Sequence, residues 1–148
     1  MRAVVQRIAS GSVIADGDLT GAVGRGLLIL VGVGRGDTAD DARYLADKCT
    51  RLRIFEDPAG KMNLALADVG GAALIVSQFT LYADTSSRRP GFSAAAPPET
   101  AIPCYEAFIA RMRENGVSTA TGRFGADMRI AVENDGPVTI LLESKQEK

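Results

Sequence analysis

The chain has 148 residues, of which 17 are basic, 18 are acidic and 46% are hydrophobic, and its net charge is −1. A chain of this length buries enough surface to fold as one domain, so a single domain over residues 1–148 is expected. The absence of histidine excludes Ser-His-Asp and Cys-His catalysis and removes the commonest metal ligand. Cys49 and Cys104 are too few for a structural zinc site. Metal chemistry would have to rest on carboxylates alone. We expect neither a metal nor a cofactor.

The apolar segments are all much shorter than the roughly 20 residues that a membrane helix needs. Arg2, Gln6 and Arg7 interrupt the N-terminal stretch in which a signal peptide would carry its apolar region. We therefore expect a cytoplasmic protein without a membrane partner, and two unpaired cysteines suit such a reducing compartment. The near-neutral charge argues against binding to nucleic acid through a global positive field, although a local basic patch would leave the net charge unchanged. No DNA partner is expected.

The N-terminal third predicts strands. Alternating residues over 3–8 and 12–15 indicate two strand segments, and the turn residues at 16–18 indicate a hairpin. Residues 27–33 are apolar on both faces of a strand, which predicts a central, buried strand.

Two helices are predicted. Thr38 followed by Asp41 resembles a capping box, and the next apolar residues have helical spacing, which predicts a helix over about 38–51. A second helix is predicted over about 99–115, which puts Pro103 in its first turn, where proline is tolerated. The apolar residues with helical spacing are Ala42, Leu45, Ala46 and Cys49 in the first helix, and Tyr105, Phe108, Ile109 and Met112 in the second.

The remaining elements are mostly strands. A strand is predicted over 72–82, another over 117–121, and two more over 128–133 and 138–143. The polar tail, residues 144–148, is expected to fray. Mostly strands with two helices indicate an α+β domain whose sheets are covered by helices on one side.

Three segments carry polar residues that folding alone does not require. Residues 77–80, Ser-Gln-Phe-Thr, make the end of an apolar strand polar, so this end either faces solvent or binds a ligand. Residues 84–98 form a long aperiodic segment in which Arg88 and Arg89 either bind phosphate or belong to a solvated loop. Residues 134–139 form an Asx-Gly-Pro turn between two strands, whose bond isomer the sequence does not reveal.

These segments together resemble the D-aminoacyl-tRNA deacylase (D-tyrosyl-tRNA deacylase) family, in order, over nearly the whole chain. Several separated segments in register are much more specific than one short motif. The matching segments are MRAVVQR (1–7), LRIFED (52–57) with GKMN (60–63), SQFTLYAD (77–84), RRP (88–90), TGRFGADM (121–128) and NDGPVT (134–139).

The resemblance implies a hydrolase that cleaves the ester between a D-amino acid and the terminal adenosine of tRNA, with tRNA as its partner. It also implies a homodimer with a three-layer β-β-α sandwich, barrel-like sheets and two main helices on one side. The site is then expected at the dimer interface, with L-aminoacyl-tRNA excluded by a Gly-cisPro turn and glycyl-tRNA accepted. The implied site residues are Ser77, Gln78, Phe79 and Thr80 for catalysis, Gly136 and Pro137 of the partner for chiral selection, Arg7 and Met128 in support, and Arg88 and Arg89 for tRNA phosphates.

Thr80 is the one obvious nucleophile in this set, yet no histidine or neighbouring carboxylate is available in the sequence to activate it. Backbone amides around Phe79 and Thr80, together with the substrate's own 2′-hydroxyl, offer a route without such a base. Covalent catalysis by Thr80 remains the rival mechanism. Two other readings also stay open: an RNA-binding module without turnover, and a relative with a trans Gly-Pro turn that prefers small L-amino acids.

Overall fold

Eight strands and two α-helices make up the computed structural model, which describes residues 1–145. The strands are β1 Arg2–Ala15, β2 Asp18–Val23, β3 Gly26–Gly32, β4 Phe55–Glu56, β5 Met62–Leu64, β6 Ala72–Ser77, β7 Ser118–Thr121 and β8 Met128–Glu143. The helices are α1 Ala39–Arg51 and α2 Pro98–Glu114, and two 3-10 turns span Ala67–Val69 and Phe79–Tyr82.

The main sheet has the strand order β2-β1-β3-β6-β7, and β8 pairs with the other edge of β1. β1 pairs antiparallel with β3 through residues 2–8 and with β2 through residues 11–15, while β3, β6 and β7 run parallel. The far end of β2 returns to β7, because a Cβ added to Gly21 would lie 3.0 Å from the Cβ of Ala120. The sheet is thus nearly closed into a barrel, and the predicted hairpin at 16–18 is confirmed.

The core lies on both faces of β3. Leu27 and Ile29 belong to the cluster formed with α1 and α2, whereas Leu28 belongs to a second cluster inside the barrel with Ile8 and Leu74. This arrangement confirms the predicted central strand, and it also confirms the α+β fold with helices over one face of the sheet.

Both helices form close to their predicted bounds. α1 begins with the predicted capping box of Thr38 and Asp41. The placement of Pro103 in the first turn of α2 was wrong, because Pro97 caps that helix and Pro98 is its first residue. Proline suits this first position because the amide that it lacks has no helical acceptor there. Pro103 therefore lies one turn further along, where its missing amide leaves one helical hydrogen bond unmade.

Two predictions about the strands were wrong. The strand predicted over 72–82 ends at Ser77, because the chain turns into the 3-10 turn at Phe79. Residues 134–139 do not form a turn between two separate strands: both halves of β8 pair with β1, and the four residues between Asn134 and Thr139 bulge outward opposite Arg7. A bulge of this kind leaves the strand direction unchanged, so sequence alone does not distinguish it from a turn.

The predicted fraying of the tail is wrong for its first two residues. Ser144 Oγ donates to Asp41 Oδ1 (2.8 Å), and Lys145 Nζ lies 3.1 Å from Asp37 Oδ1. The other residues of this prediction, 146–148, lie outside the described residues.

Asp47 links the two helices and makes a contribution to the free energy of unfolding that depends on pH. Arg111 donates to both of its carboxylate oxygens (2.8 and 3.2 Å), and together with Asn115 it lowers the pKa of Asp47 to about 2. Asp47→Asn should therefore reduce the free energy of unfolding by about 1 kcal/mol at pH 7, since both side chains are partly exposed and screened.

Because the pKa of Asp47 is lowered in the folded protein, its contribution to stability decreases as the pH falls. The contribution is complete above the unfolded value of about 3.9 and is lost as the pH falls through the folded value of about 2, so the difference between wild type and Asp47→Asn should be much smaller at pH 2 than at pH 7. Urea unfolding at pH 7 and pH 2 measures it. Asp40→Asn is the control, because that carboxylate is 87% exposed beside Arg43. An equal loss at both pH values would contradict this account.

Candidate active site

A cavity of about 520 Å³ opens where β3 and β6 end beside the first turns of α2. Val31 and Ser77 form its sheet side, where they are paired across the two parallel strands. Ala101 and Tyr105 of α2 form a second wall, and residues 124–126 form a third. The cavity is therefore mainly apolar and is bounded by three separate parts of the fold.

The polar segment 77–80 lies at one end of this cavity. Ser77, Gln78 and Phe79 line it, and Thr80 is exposed beside them. The Gln78 amide donates to the Val31 carbonyl (2.8 Å), and its side-chain amide donates to Thr80 Oγ1 (2.5 Å). The first bond holds the segment against the end of β3, and the second fixes the Thr80 side chain within the segment.

The 3-10 turn that starts at Phe79 leaves donors free. A helical turn supplies no acceptor for its first amides, and within residues 1–145 no other group accepts from the amides of Phe79 and Thr80. The Phe79 ring is 57% exposed and meets the ring of Phe92 edge-on, with 5.1 Å between the ring centres. Two unpaired amides and an exposed aromatic ring thus stand at the mouth of the cavity.

The described side chains that line the cavity do not include a general base. Among the described residues that line it, Tyr105 is the one ionisable side chain. Its hydroxyl donates to the Ile75 carbonyl (2.9 Å), and burial raises the pKa of Tyr105 to about 12. This side chain is therefore neutral and already bonded near pH 7. In the described part of the chain, no group of three or more Cys, Asp or Glu residues is placed to hold a metal ion.

Met128 lies on the far wall, and Gly122 makes room for it. A Cβ added to Gly122 would lie 2.5 Å from Met128 Sδ, so a larger residue there would push the thioether away. The connection between these residues is tied to the β1–β2 hairpin, because the Asp16 amide donates to the Asp127 carbonyl (2.9 Å) and the Asp127 amide donates to Asp16 Oδ1 (3.2 Å). This wall is thus held by two hydrogen bonds to another element.

Gly136 and Pro137 are exposed, and the peptide bond between them is cis. Arg7 connects the bulge to the rest of the fold. Its Nε donates to the Asp135 carbonyl in the bulge (3.0 Å), and its Nη1 donates to the Ile54 carbonyl (2.8 Å). Arg7 is only 6% exposed.

The bulge does not reach the cavity of its own chain. It stands opposite Arg7 on β1, which pairs with Leu27 on β3 and through it with Ala73 on β6. Ser77 is therefore three strand spacings away across the sheet, about 14 Å, and four residues further along β6, about 13 Å. The described residues that line the cavity do not include Gly136 or Pro137.

Arg88 and Arg89 lie in an exposed loop that does not line the cavity. The loop is closed at its base by two hydrogen bonds between Asp84 and Gly91 (2.7 and 2.9 Å). No carboxylate within residues 1–145 pairs with either guanidinium.

The D-Tyr-tRNA(Tyr) deacylase family model matches residues 4–143 of the chain. The chain belongs to this family. It is similar to two proteins named D-aminoacyl-tRNA deacylase: one from Anaeromyxobacter dehalogenans (strain 2CP-C), 62% identical over 99% of each chain, and one from Thermus aquaticus, 53% identical over 99% of this chain and 97% of that one. The expected enzyme class, a hydrolase of aminoacyl-tRNA esters, is confirmed.

Two solved structures share the fold of the family. One is described as c-Myc DNA Unwinding Element Binding Protein, with a TM-score of 0.92 and 38% identity over 99% of this chain and all of that one. The other is described as a probable eukaryotic D-amino acid tRNA deacylase, with a TM-score of 0.81 and 18% identity over 96% of this chain and 98% of that one. At that identity the second likeness concerns the fold alone. No helix within the described residues is long and apolar enough to span a membrane.

Sequence reasoning missed part of the cavity wall. Phe92 stands alone in an aperiodic segment, where nothing in the sequence relates it to Phe79. Tyr105 has the helical spacing of a core residue, and it does belong to the core while one side faces the cavity. Phe124 falls within a segment that marked the family resemblance, which is the one signal that was available for it.

Proposed function

We propose that the chain hydrolyses D-aminoacyl-tRNA to free D-amino acid and tRNA, with the ester held beside Phe79 and Thr80. One observation carries this proposal: among residues 1–145, an apolar cavity has at its mouth two backbone amides without an acceptor, and none of the side chains that line it acts as a base near pH 7. Family membership supports the reaction class. Because the proposed substrate is aminoacyl-tRNA, we expect the reaction to take place in the cytoplasm.

The terminal adenosine is the part of the substrate that fits the cavity. An enzyme that accepts many D-amino acids needs a close fit to the part that all its substrates share, and adenine offers a flat apolar surface to walls such as Phe79, Phe124 and Met128. The amino-acid side chain then points out of the mouth, where its size matters little.

Catalysis in this arrangement depends on the substrate. The amides of Phe79 and Thr80 stabilise the oxyanion that develops on the ester carbonyl, an effect typically worth about 10²–10³ in rate for one donor. Because none of the described side chains that line the cavity removes a proton from water or from Thr80, the 2′-hydroxyl of the terminal ribose assists the attack. Thr80 acts as a positioning group, since its hydroxyl already accepts a hydrogen bond from Gln78.

Thr80→Ala is therefore expected to keep activity within about tenfold of wild type. The substitution removes one hydroxyl, and a neutral hydrogen bond is typically worth about 0.5–1.5 kcal/mol, while the Thr80 amide remains. Single-turnover deacylation of D-tyrosyl-tRNA measures this. Trapping an aminoacyl ester on Thr80, or a loss of several thousandfold, would establish the covalent mechanism instead.

The chiral filter of the proposed site comes from the partner of a homodimer. The bulge at Gly136 and Pro137 is exposed, held firmly by the buried Arg7, and remote from the cavity of its own chain. Placed at the mouth of the partner's cavity, it blocks the direction in which an L side chain would point. Backbone suits this purpose because it cannot rotate away. Glycine has no side chain to exclude, so glycyl-tRNA is also a substrate.

The loop that carries Arg88 and Arg89 supplies contacts to tRNA phosphates in this proposal. Two unpaired guanidinium groups side by side suit phosphate oxygens, to which arginine donates in a fork geometry. Such contacts add affinity that falls as salt rises.

Deacylation of matched D- and L-tyrosyl-tRNA by the purified protein tests the proposal. The expected result is multiple turnover of the D ester and little hydrolysis of the L ester above its spontaneous rate. A protein that only bound RNA would protect both esters, and a relative with the opposite preference would hydrolyse small L esters such as alanyl-tRNA. Either result would overturn the proposal.

A further inference from the structure

The 3-10 turn that presents Phe79 and Thr80 is held from outside the cavity by a side chain at the start of β1. Arg2 Nη1 donates to the Leu81 carbonyl (2.9 Å), and its guanidinium carbon lies 4.5 Å from the centre of the Tyr82 ring. The Arg2 Nε lies 3.1 Å from Glu143 Oε1 at the end of β8. One guanidinium thus connects the last part of the turn to two strands of the sheet.

Tyr82 is fixed on its other side by the segment after β3. A Cβ added to Gly34 would lie 2.6 Å from Tyr82 Cε1, so only glycine allows this close approach. The Tyr82 hydroxyl donates to Asp37 Oδ2 (3.4 Å), and the same carboxylate oxygen accepts from the Gly34 amide (2.6 Å). Desolvation, together with the charge of Asp37, raises the pKa of Tyr82, so its hydroxyl remains protonated. The ring is therefore clamped between Gly34 and Arg2.

We propose that Arg2 is a positioning residue for the hydrolysis, acting through the Leu81 carbonyl and the Tyr82 ring on the amides of Phe79 and Thr80. This inference rests on the proposed function, because it concerns the placing of those amides against the ester. None of Arg2, Leu81 and Tyr82 is among the residues that line the cavity. Loss of Arg2 should therefore change the alignment of the reacting groups more than the binding of the substrate.

The test compares Arg2→Met and Arg2→Lys with wild type in steady-state deacylation of D-tyrosyl-tRNA. Arg2→Met should lower kcat about 10- to 100-fold, the size of effect that a small misplacement of reacting groups produces. KM should stay within about twofold, because binding in the ground state is unchanged. Arg2→Lys should fall between the two, because lysine keeps a donor for the Leu81 carbonyl but lacks the planar group that stacks on Tyr82.

The matched control is Arg25→Met. The guanidinium of Arg25 also lies over an aromatic ring, that of Phe55, at 5.4 Å, and Arg25 is not among the residues that line the cavity. This variant should keep the wild-type kcat, and the melting temperatures of all variants should be similar.

Three outcomes would overturn the proposal for Arg2. They are a wild-type kcat in Arg2→Met, an equal fall of kcat in Arg25→Met, and a fall explained by loss of folded protein. If Arg2→Met does not fold, Arg2→Lys decides, and a wild-type kcat in that variant counts against the proposal. A wild-type protein inactive on D-tyrosyl-tRNA would instead refute the proposed function, so the two failures are distinguishable.

Discussion

A tRNA that ends in 2′-deoxyadenosine and carries D-tyrosine on its 3′ oxygen should be hydrolysed at least about a hundredfold more slowly than the natural ester, the lower bound of what a positioned proton-transfer group contributes. The reason lies in the composition of the cavity. Tyr105 is its one ionisable side chain within the described residues, and that hydroxyl is neutral and bonded to the Ile75 carbonyl. Removal of the 2′-hydroxyl therefore leaves the site without a group that can assist the attack.

The comparison needs a control because the 2′-hydroxyl also accelerates spontaneous hydrolysis. The relevant quantity is the enzymatic rate divided by the spontaneous rate for each ester, measured under single turnover. Binding of the deoxy substrate is checked by its inhibition of the natural reaction, which should be nearly unchanged. An equal rate enhancement for both esters would show that the protein supplies the missing group itself.

The sequence predicted those parts of the fold in which the apolar pattern and the capping residues of a segment agree with its place in the tertiary structure. Residues 27–33 are apolar on both faces and indeed lie between two clusters of the core. α1 begins at the capping box that its sequence predicts. The bulge in β8 could not be predicted in this way. Whether the chain continues or reverses after it depends on pairing with β1, which lies more than 120 residues earlier in the chain. Pro103 was misplaced because Pro97 and Pro98 start α2 earlier than its apolar spacing indicates.

The residues of the candidate site could likewise be predicted only in part from the sequence. The polar end of β6 was visible as Ser77, Gln78 and Thr80 in a strand that should have continued apolar, and these residues do meet the cavity or its rim. Phe92 and Tyr105 were not visible, because a cavity wall is made of residues that meet only after the chain has folded. The role of Arg2 was not visible either, since its contacts are with residues about 80 and 140 positions away.

Mixing two inactive variants should restore activity if each site combines two subunits. Phe79→Pro removes one amide donor and the exposed ring, and proline suits the first position of a helical turn. Gly136→Val alters the bulge, because its φ of +138° is unfavourable for a side chain and a Cβ there would lie 2.8 Å from Val138 Cγ2 and 3.1 Å from Arg7 Nη2. Phe79→Pro alone is expected to lose about 10²–10³ in rate, as for the removal of one oxyanion donor. Gly136→Val alone is expected to lose activity because the displaced bulge no longer fits the mouth of the partner's cavity.

A dimer that contains one subunit of each variant has one site in which both altered segments meet and one site in which both are wild type. Random exchange of the subunits in a 1:1 mixture makes about half of the dimers mixed, so activity per chain should rise to about a quarter of that of wild type. If each chain held a complete site, every site would keep one defect and the mixture would remain inactive. The three strand spacings between the bulge and Ser77 of its own chain are the reason to expect the first result. Covalently linked mixed dimers, with folding and dimerisation checked by circular dichroism and sedimentation, make the measurement independent of the exchange rate.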